Sequence, residues 1–183
     1  MATLLETYAT PFGLAWQDTS SPAAIWPNGG TAPAMANFTS ANIQLQQYAV
    51  NDLFFFQLQL QHGTAALSDA RLHVHFTFPS QPTAGRWVKF EAIYTIGDIN
   101  GAFSAESAAA TGEYQIQAAD NKYHRVVQLA APTLSATPQS NAIVGRIRRI
   151  AATSGTESDV SPMILFCDAH VQMAGPGTEG EFA

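Results

Sequence analysis

Two short patterns carry side chains able to ligate or move protons. His73-Val74-His75 lies in the run RLHVHFTF (71–78), and Asp168-Ala169-His170 lies in PMILFCDAHVQMA (162–174). On a β-strand, residues i and i+2 project from one face, so each pattern presents two polar groups side by side. Two imidazoles at this spacing, joined by a group from a neighbouring strand, are the donor set of a metal site. The same groups also serve as cross-strand hydrogen-bonding partners on a polar or interfacial face, and this plainer role is the expected one. Neither a metal nor any other cofactor is expected.

Other chemistry finds less support. His-x-His on a β-sandwich resembles the cupin metal motif, but that motif wants a Glu shortly beyond the second His, where this chain has Pro79 and Ser80. His170 and Asp168 share a face of the last strand, and Glu91 sits on the strand after the His-x-His pair. Cys167 neighbours Asp168 and His170 in sequence yet points to the opposite strand face, so it is expected in the core. As the single cysteine it excludes an intrachain disulfide and a four-cysteine zinc site. Nucleophile-elbow, dinucleotide-binding and phosphate-loop glycine patterns are absent, and no enzymatic activity is expected. Asp98, Glu106 and Glu113 lie in or beside a long loop without the alternating spacing of a calcium loop. Arg146, Arg148 and Arg149 form the basic cluster. Arg146 and Arg148 share a strand face and are candidates for an intersubunit contact, with an ordinary exposed face as the alternative.

The elements that position these groups are strands. Period-two alternation marks 42–46, with Ile43 and Leu45 inward, and 55–61, with Phe56, Leu58 and Leu60 inward. It continues at 71–78, with Leu72, Val74, Phe76 and Phe78 inward, and at 87–96, with Val88, Phe90, Ala92, Tyr94 and Ile96 inward. Weaker strands are expected at 113–118 and 124–130, followed by 142–150 and 162–174. In the last, Met163, Leu165, Cys167, Ala169, Val171 and Met173 share one face and Ile164, Phe166, Asp168, His170 and Gln172 the other. AESAAATG (105–112) offers a turn or two of helix. Eight short strands without crossover helices predict an all-β, antiparallel β-sandwich, jelly-roll-like, with an immunoglobulin-like sandwich as the alternative. The sandwich is expected over 38–183. Residues 1–37, with prolines at 11, 22, 27 and 33, are expected as an extended N-terminal arm anchored by Tyr8, Phe12, Trp16 and Trp26.

Composition narrows the partners. Only 12% of the 183 residues are charged, against roughly 25% in ordinary domains, and fourteen acidic against eight basic residues leave a net charge of −6. The first 70 residues contain no Lys or Arg, which argues against nucleic-acid binding and polybasic membrane attachment. No basic leader or run of roughly 18 apolar residues argues for secretion or a membrane-spanning helix. Weakly charged faces suit docking to protein, because few ions need desolvating.

The segments FFFQLQLQHG, LHVHF, FEAIYTIGDINGAF and CDAHVQMAGPGTEGEF together resemble a group of small virion structural proteins of tailed bacteriophages. The resemblance spans roughly 53–183 and falls on His73, His75, Gly97, Asp98, Asp168, His170, Glu181 and Phe182. The chain departs from that pattern at Leu72, where a Pro is usual, and at Phe76, where a Trp is usual. It implies a structural component of the particle, a capsid decoration or cement protein on the outer surface of the head, with a tail accessory as the alternative. The implied partner is the major capsid protein or another virion protein; a homo-oligomer is also expected, with a trimer favoured over a dimer because flat-sided jelly rolls pack well around threefold axes. A glycan- or host-binding module using Trp16, Trp26 and Trp87, and a cupin-like metal-binding protein, are the competing readings.

Overall fold

The computed structural model describes residues 4–9, 33–40, 42–60, 67, 69–134 and 141–172. These contain ten strands and no helix: β1 (Leu4–Ala9), β2 (Ala34–Ser40), β3 (Ile43–Gln47), β4 (Leu53–Gln59), β5 (Arg71–Thr77), β6 (Trp87–Gly97), β7 (Ala110–Gln115), β8 (Arg125–Ala130), β9 (Ala142–Ile150) and β10 (Met163–Gln172). One sheet has the order β2-β3-β10-β5-β8, with β1 also paired to β10, and the other has the order β4-β9-β6-β7.

The last eight strands pair as nested partners: β3 with β10, β4 with β9, β5 with β8 and β6 with β7, all antiparallel. Successive pairs alternate between the sheets, and β5–β10 and β6–β9 pairing closes each one. This is a long antiparallel ribbon rolled on itself, the jelly roll, which lets eight short strands bury one face each without a crossover helix.

The alternation read from the sequence fills the space between the sheets. Phe56, Leu58 and Leu60, then Leu72, Val74, Phe76 and Phe78, then Val88, Phe90 and Ala92 are all buried, and Tyr94 and Ile96 pack against them. Each fully buried Phe contributes about 1.5–3 kcal/mol of apolar transfer, so this aromatic-rich interior supplies the main driving force without staples. Cys167 is buried in the same core, and burial pushes its thiol well above the usual range, which keeps it protonated and inert. Gly112 on β7 lets the two sheets close at one side: a Cβ there would stand 2.3 Å from the Gln128 carbonyl oxygen of β8.

Three expectations differ from what forms. Ile43 is 51% exposed and Leu45 only half-buried, because β3 meets β10 only at Met163–Gln47 and otherwise pairs with β2 in a hairpin reaching past the sheet. On β10 the register shifts between Ile164 and Phe166, a bulge that reverses the expected faces: Ile164 opposes Phe76 and is buried, while Leu165 is half-buried. From Cys167 onward the alternation is as expected. Residues 105–109 form no helix, since Ser104 N and Ser107 N donate to the Ile96 and Tyr94 carbonyls and hold the loop along β6. Within the span read as an arm, Leu4–Ala9 runs extended as a strand against Cys167–Gln172, and β2 begins at Ala34. The rest of that span, residues 10–32 with Phe12, Trp16 and Trp26, lies outside the described residues.

Candidate functional site on the outer face of one sheet

Antiparallel pairing of β5 with β10 sets Asp168 directly opposite His73. The inward face of β5 is taken by Leu72, Val74 and Phe76, so the two imidazoles stand on the outer face of the sheet. There the two patterns found in the sequence meet. Asp168 is fully buried, and its neighbours are nitrogen: His73 Nδ1 lies 3.5 Å from Oδ1, His75 Nε2 lies 3.1 Å from Oδ2, and His170 Nε2 lies 3.1 Å from Oδ2. His170 Nε2 and the Asp168 carboxylate are hydrogen-bonded. His73 Nδ1, His75 Nε2 and Asp168 Oδ1 are buried and make no hydrogen bond.

Ring packing fixes the group. The His73 and His170 rings meet edge to face with centroids 4.5 Å apart, and Phe166 stacks on His75 at 4.3 Å. His75 Nδ1 lies 2.7 Å from His124 Nε2. Burial raises the Asp168 carboxyl, but the His73 and His75 imidazoles and the neighbouring His170 outweigh it and hold the group well below the usual carboxylate range. His124 is shifted down, by burial and by the adjacent His75, against a weaker opposing pull from Asp168. The cluster therefore pairs one firmly ionised carboxylate with imidazoles.

His124 is the member that sequence reasoning missed. Alternation along 124–130 places it on one face with Val126 and Gln128, but nothing local says that this strand lies beside β5. Pairing of His75 with Val126 brings it there. Tyr8 and Glu6 of β1 stand opposite Asp168 and His170 in the register.

The remaining candidates lie elsewhere. Glu91 is on the other sheet, where Arg148 Nη2 lies 3.0 Å and Arg146 Nη2 3.7 Å from its Oε1, so both arginines are answered within the chain. Arg149 points inward and is buried: Nη1 donates to the Tyr48 carbonyl at 2.6 Å and to Ser161 Oγ at 2.9 Å, and Nη2 donates to Glu157 Oε1 at 2.6 Å. Asp98 sits in the turn after β6, where Gly101 N donates to its carbonyl, and Gly97 is covered by the Phe103 ring. Glu113 receives the backbone N–H groups of Thr153 and Ser154 and the Ser154 hydroxyl. Trp87 is half-buried with Gly155 against its indole. A cleft of about 190 Å³ on the second sheet is lined by Phe55, Tyr94, Glu106 and Arg146 among others. That is smaller than the roughly 300–1,000 Å³ typical of ligand pockets. Glu181 and Phe182 lie outside the described residues.

No family model and no curated protein matches the chain. Among solved structures it is similar to one of infectious bursal disease virus, Gx strain, at 10% identity over 80% of this chain and with a TM-score of 0.31; the chain spans 39% of the length of that one. The jelly-roll assignment rests on the strand order itself.

Proposed function

We propose that this protein is a non-enzymatic structural component of a virus particle, a decoration or cement protein on the outside of a bacteriophage head that bridges neighbouring capsid subunits. The observation that carries the reading is the chemistry of the surface. Met35 and Ile43 on the β2–β3 hairpin, Ile99 and Phe103 beyond β6, and Tyr123 and Val126 at β8 are exposed on a domain with only 12% charged residues. Scattered singly over hairpin, loop and strand, such residues are ordinary on a folded surface, and what supports docking to protein is the scarcity of charge around them, which leaves few ions to desolvate. The resemblance of 53–183 to phage virion proteins supports the same reading. The jelly roll is compatible with it without implying it, since that fold also carries lectins and cupins.

Many identical joints multiply a modest contact, so a cement protein is expected in high copy number and as a symmetric oligomer, a trimer being favoured. Quantitative mass spectrometry of purified particles tests this. Many copies released with the outer head layer are expected; absence from particles overturns the proposal, and a few copies at one vertex reassign the protein to the tail. Light scattering on the purified chain reads the oligomer directly.

A further inference from the structure

The outer-face cluster has more electron pairs than protons to share. A carboxylate only accepts, and a neutral imidazole offers one N–H and one lone pair. Three imidazole nitrogens face the two oxygens of Asp168 at 3.1–3.5 Å. A hydrogen-bonded cluster would aim an N–H at each oxygen. Here His73 Nδ1 and Asp168 Oδ1 are buried 3.5 Å apart, and neither has a hydrogen-bond partner. One cation between them satisfies both.

From this convergence we propose that His73, Asp168 and His170 form a binding site for a divalent transition-metal ion of the zinc class. Each contributes one donor atom, and the three donors lie within 4.8 Å of one another. Tetrahedral zinc, with bonds of about 2.0–2.1 Å, sets its ligand atoms about 3.3 Å apart, close to the contacts already present. Two nitrogens and one carboxylate oxygen select zinc, cobalt or nickel over magnesium and calcium, which want oxygen throughout. The His73 and His170 side chains are 13% and 22% exposed, so a fourth position is reachable from outside, by water or by a group on a docked neighbour. His75 is outside the set of three; its Nε2 lies 3.1 Å from Asp168 Oδ2 and its Nδ1 2.7 Å from His124 Nε2, which places it as an outer-shell neighbour of the Asp168 ligand. The site is independent of the virion reading.

The full chain, dialysed against a chelator, is titrated with Zn²⁺ by calorimetry and with Co²⁺ by visible absorption. One equivalent of each is expected to bind, with the intense bands of four-coordinate Co²⁺. H73Q and H170Q, made separately, are each expected to weaken binding by 10-fold or more, while E91Q, on the other sheet, leaves it unchanged. Absence of saturable Zn²⁺ binding, or H73Q and H170Q variants that bind as tightly as the unaltered chain, overturns the site. Circular dichroism of the metal-free variants checks their fold. Should either be misfolded, the Co²⁺ spectrum of the unaltered chain decides alone: a weak octahedral spectrum overturns the proposal.

Discussion

Arg149 and Asp168 are both charged groups almost wholly removed from water, on opposite sheets, and their surroundings differ in kind. Arg149, 2% exposed, has a carbonyl, a hydroxyl and the Glu157 carboxylate at 2.6–2.9 Å from its two terminal nitrogens, all accepting hydrogen bonds. Glu157 is fixed in turn by the N–H of Ala152. This arrangement ties the end of β9 to the Tyr48 and Ser161 segments through both terminal nitrogens, while Nε of the same guanidinium makes no hydrogen bond. Asp168, 0% exposed, has three imidazole nitrogens around it among the described side chains, and of these His170 Nε2 is hydrogen-bonded to it while His73 Nδ1 and His75 Nε2 are not. A permanent cation with fitted acceptors is a structural tie, whereas a carboxylate ringed by titratable lone-pair donors remains open to another cation. Burial of a charge therefore does not distinguish a tie from a site; the alignment of its partners does.

The largest expected effect tests the tie. R149M removes the cation and leaves the buried Tyr48 carbonyl and the 31%-exposed Glu157 without it, so the expected cost is about 3 kcal/mol, the lower end of the range for breaking a buried pair. Urea unfolding midpoints are expected to fall accordingly, with R149K intermediate because a single ammonium replaces a two-nitrogen fork. A loss below about 1 kcal/mol would remove the contrast with surface pairs.

D168N is expected to cost less, about 1–3 kcal/mol, since an amide of the same shape still hydrogen-bonds inside the ring of imidazoles. The comparison sharpens when metal is added. At Zn²⁺ near 100 times its dissociation constant, the unaltered chain should gain about 2.7 kcal/mol and D168N almost nothing. R149K should gain as much as the unaltered chain. Equal metal-induced stabilisation of D168N would break the distinction.

A third carboxylate supplies a pH test. Burial nudges Glu113 upward, but the Ser154 hydroxyl, the Thr153 and Ser154 N–H groups and nearby Lys89 outweigh it and bring its pKa from 4.5 down to about 2. A folded value below the unfolded one stabilises above the unfolded pKa, and that stability is lost as pH falls through the folded value. The stability difference between the unaltered chain and E113Q should be constant above about pH 5, narrow between pH 4.5 and 2, and vanish below. A difference that grows on acidification would contradict the assignment. The smallest effect belongs to E91Q. Its arginine partners, Arg146 and Arg148, are each about a third exposed, so the loss should be under about 1 kcal/mol and shrink further in high salt.

Much of the framework was legible from residue order. Leu72, Val74, Phe76 and Phe78 were readable as core because a strand alternates faces whatever its neighbours are, and the turns between runs bounded most strands. Ile43 escaped the rule because alternation tells which residues share a face but not whether anything covers that face. The swap of Ile164 and Leu165 escaped because a bulge inserts one residue and reverses alternation with no mark in composition.

The pairs His73-x-His75 and Asp168-x-His170 were each determined by local spacing alone, as was the inward direction of Cys167. Their meeting was decided only by the rolled-up ribbon, which lays β10 between β1 and β5 and β8 on the far side of β5. Strand partners close over loops of many residues, and the free energy that selects them is spread over the whole aromatic interior rather than held in any local pattern. For that reason His124 reached His75, Glu91 went instead to Arg148, and Arg149 turned inward to Tyr48, each by the global register and none by its neighbours in the chain.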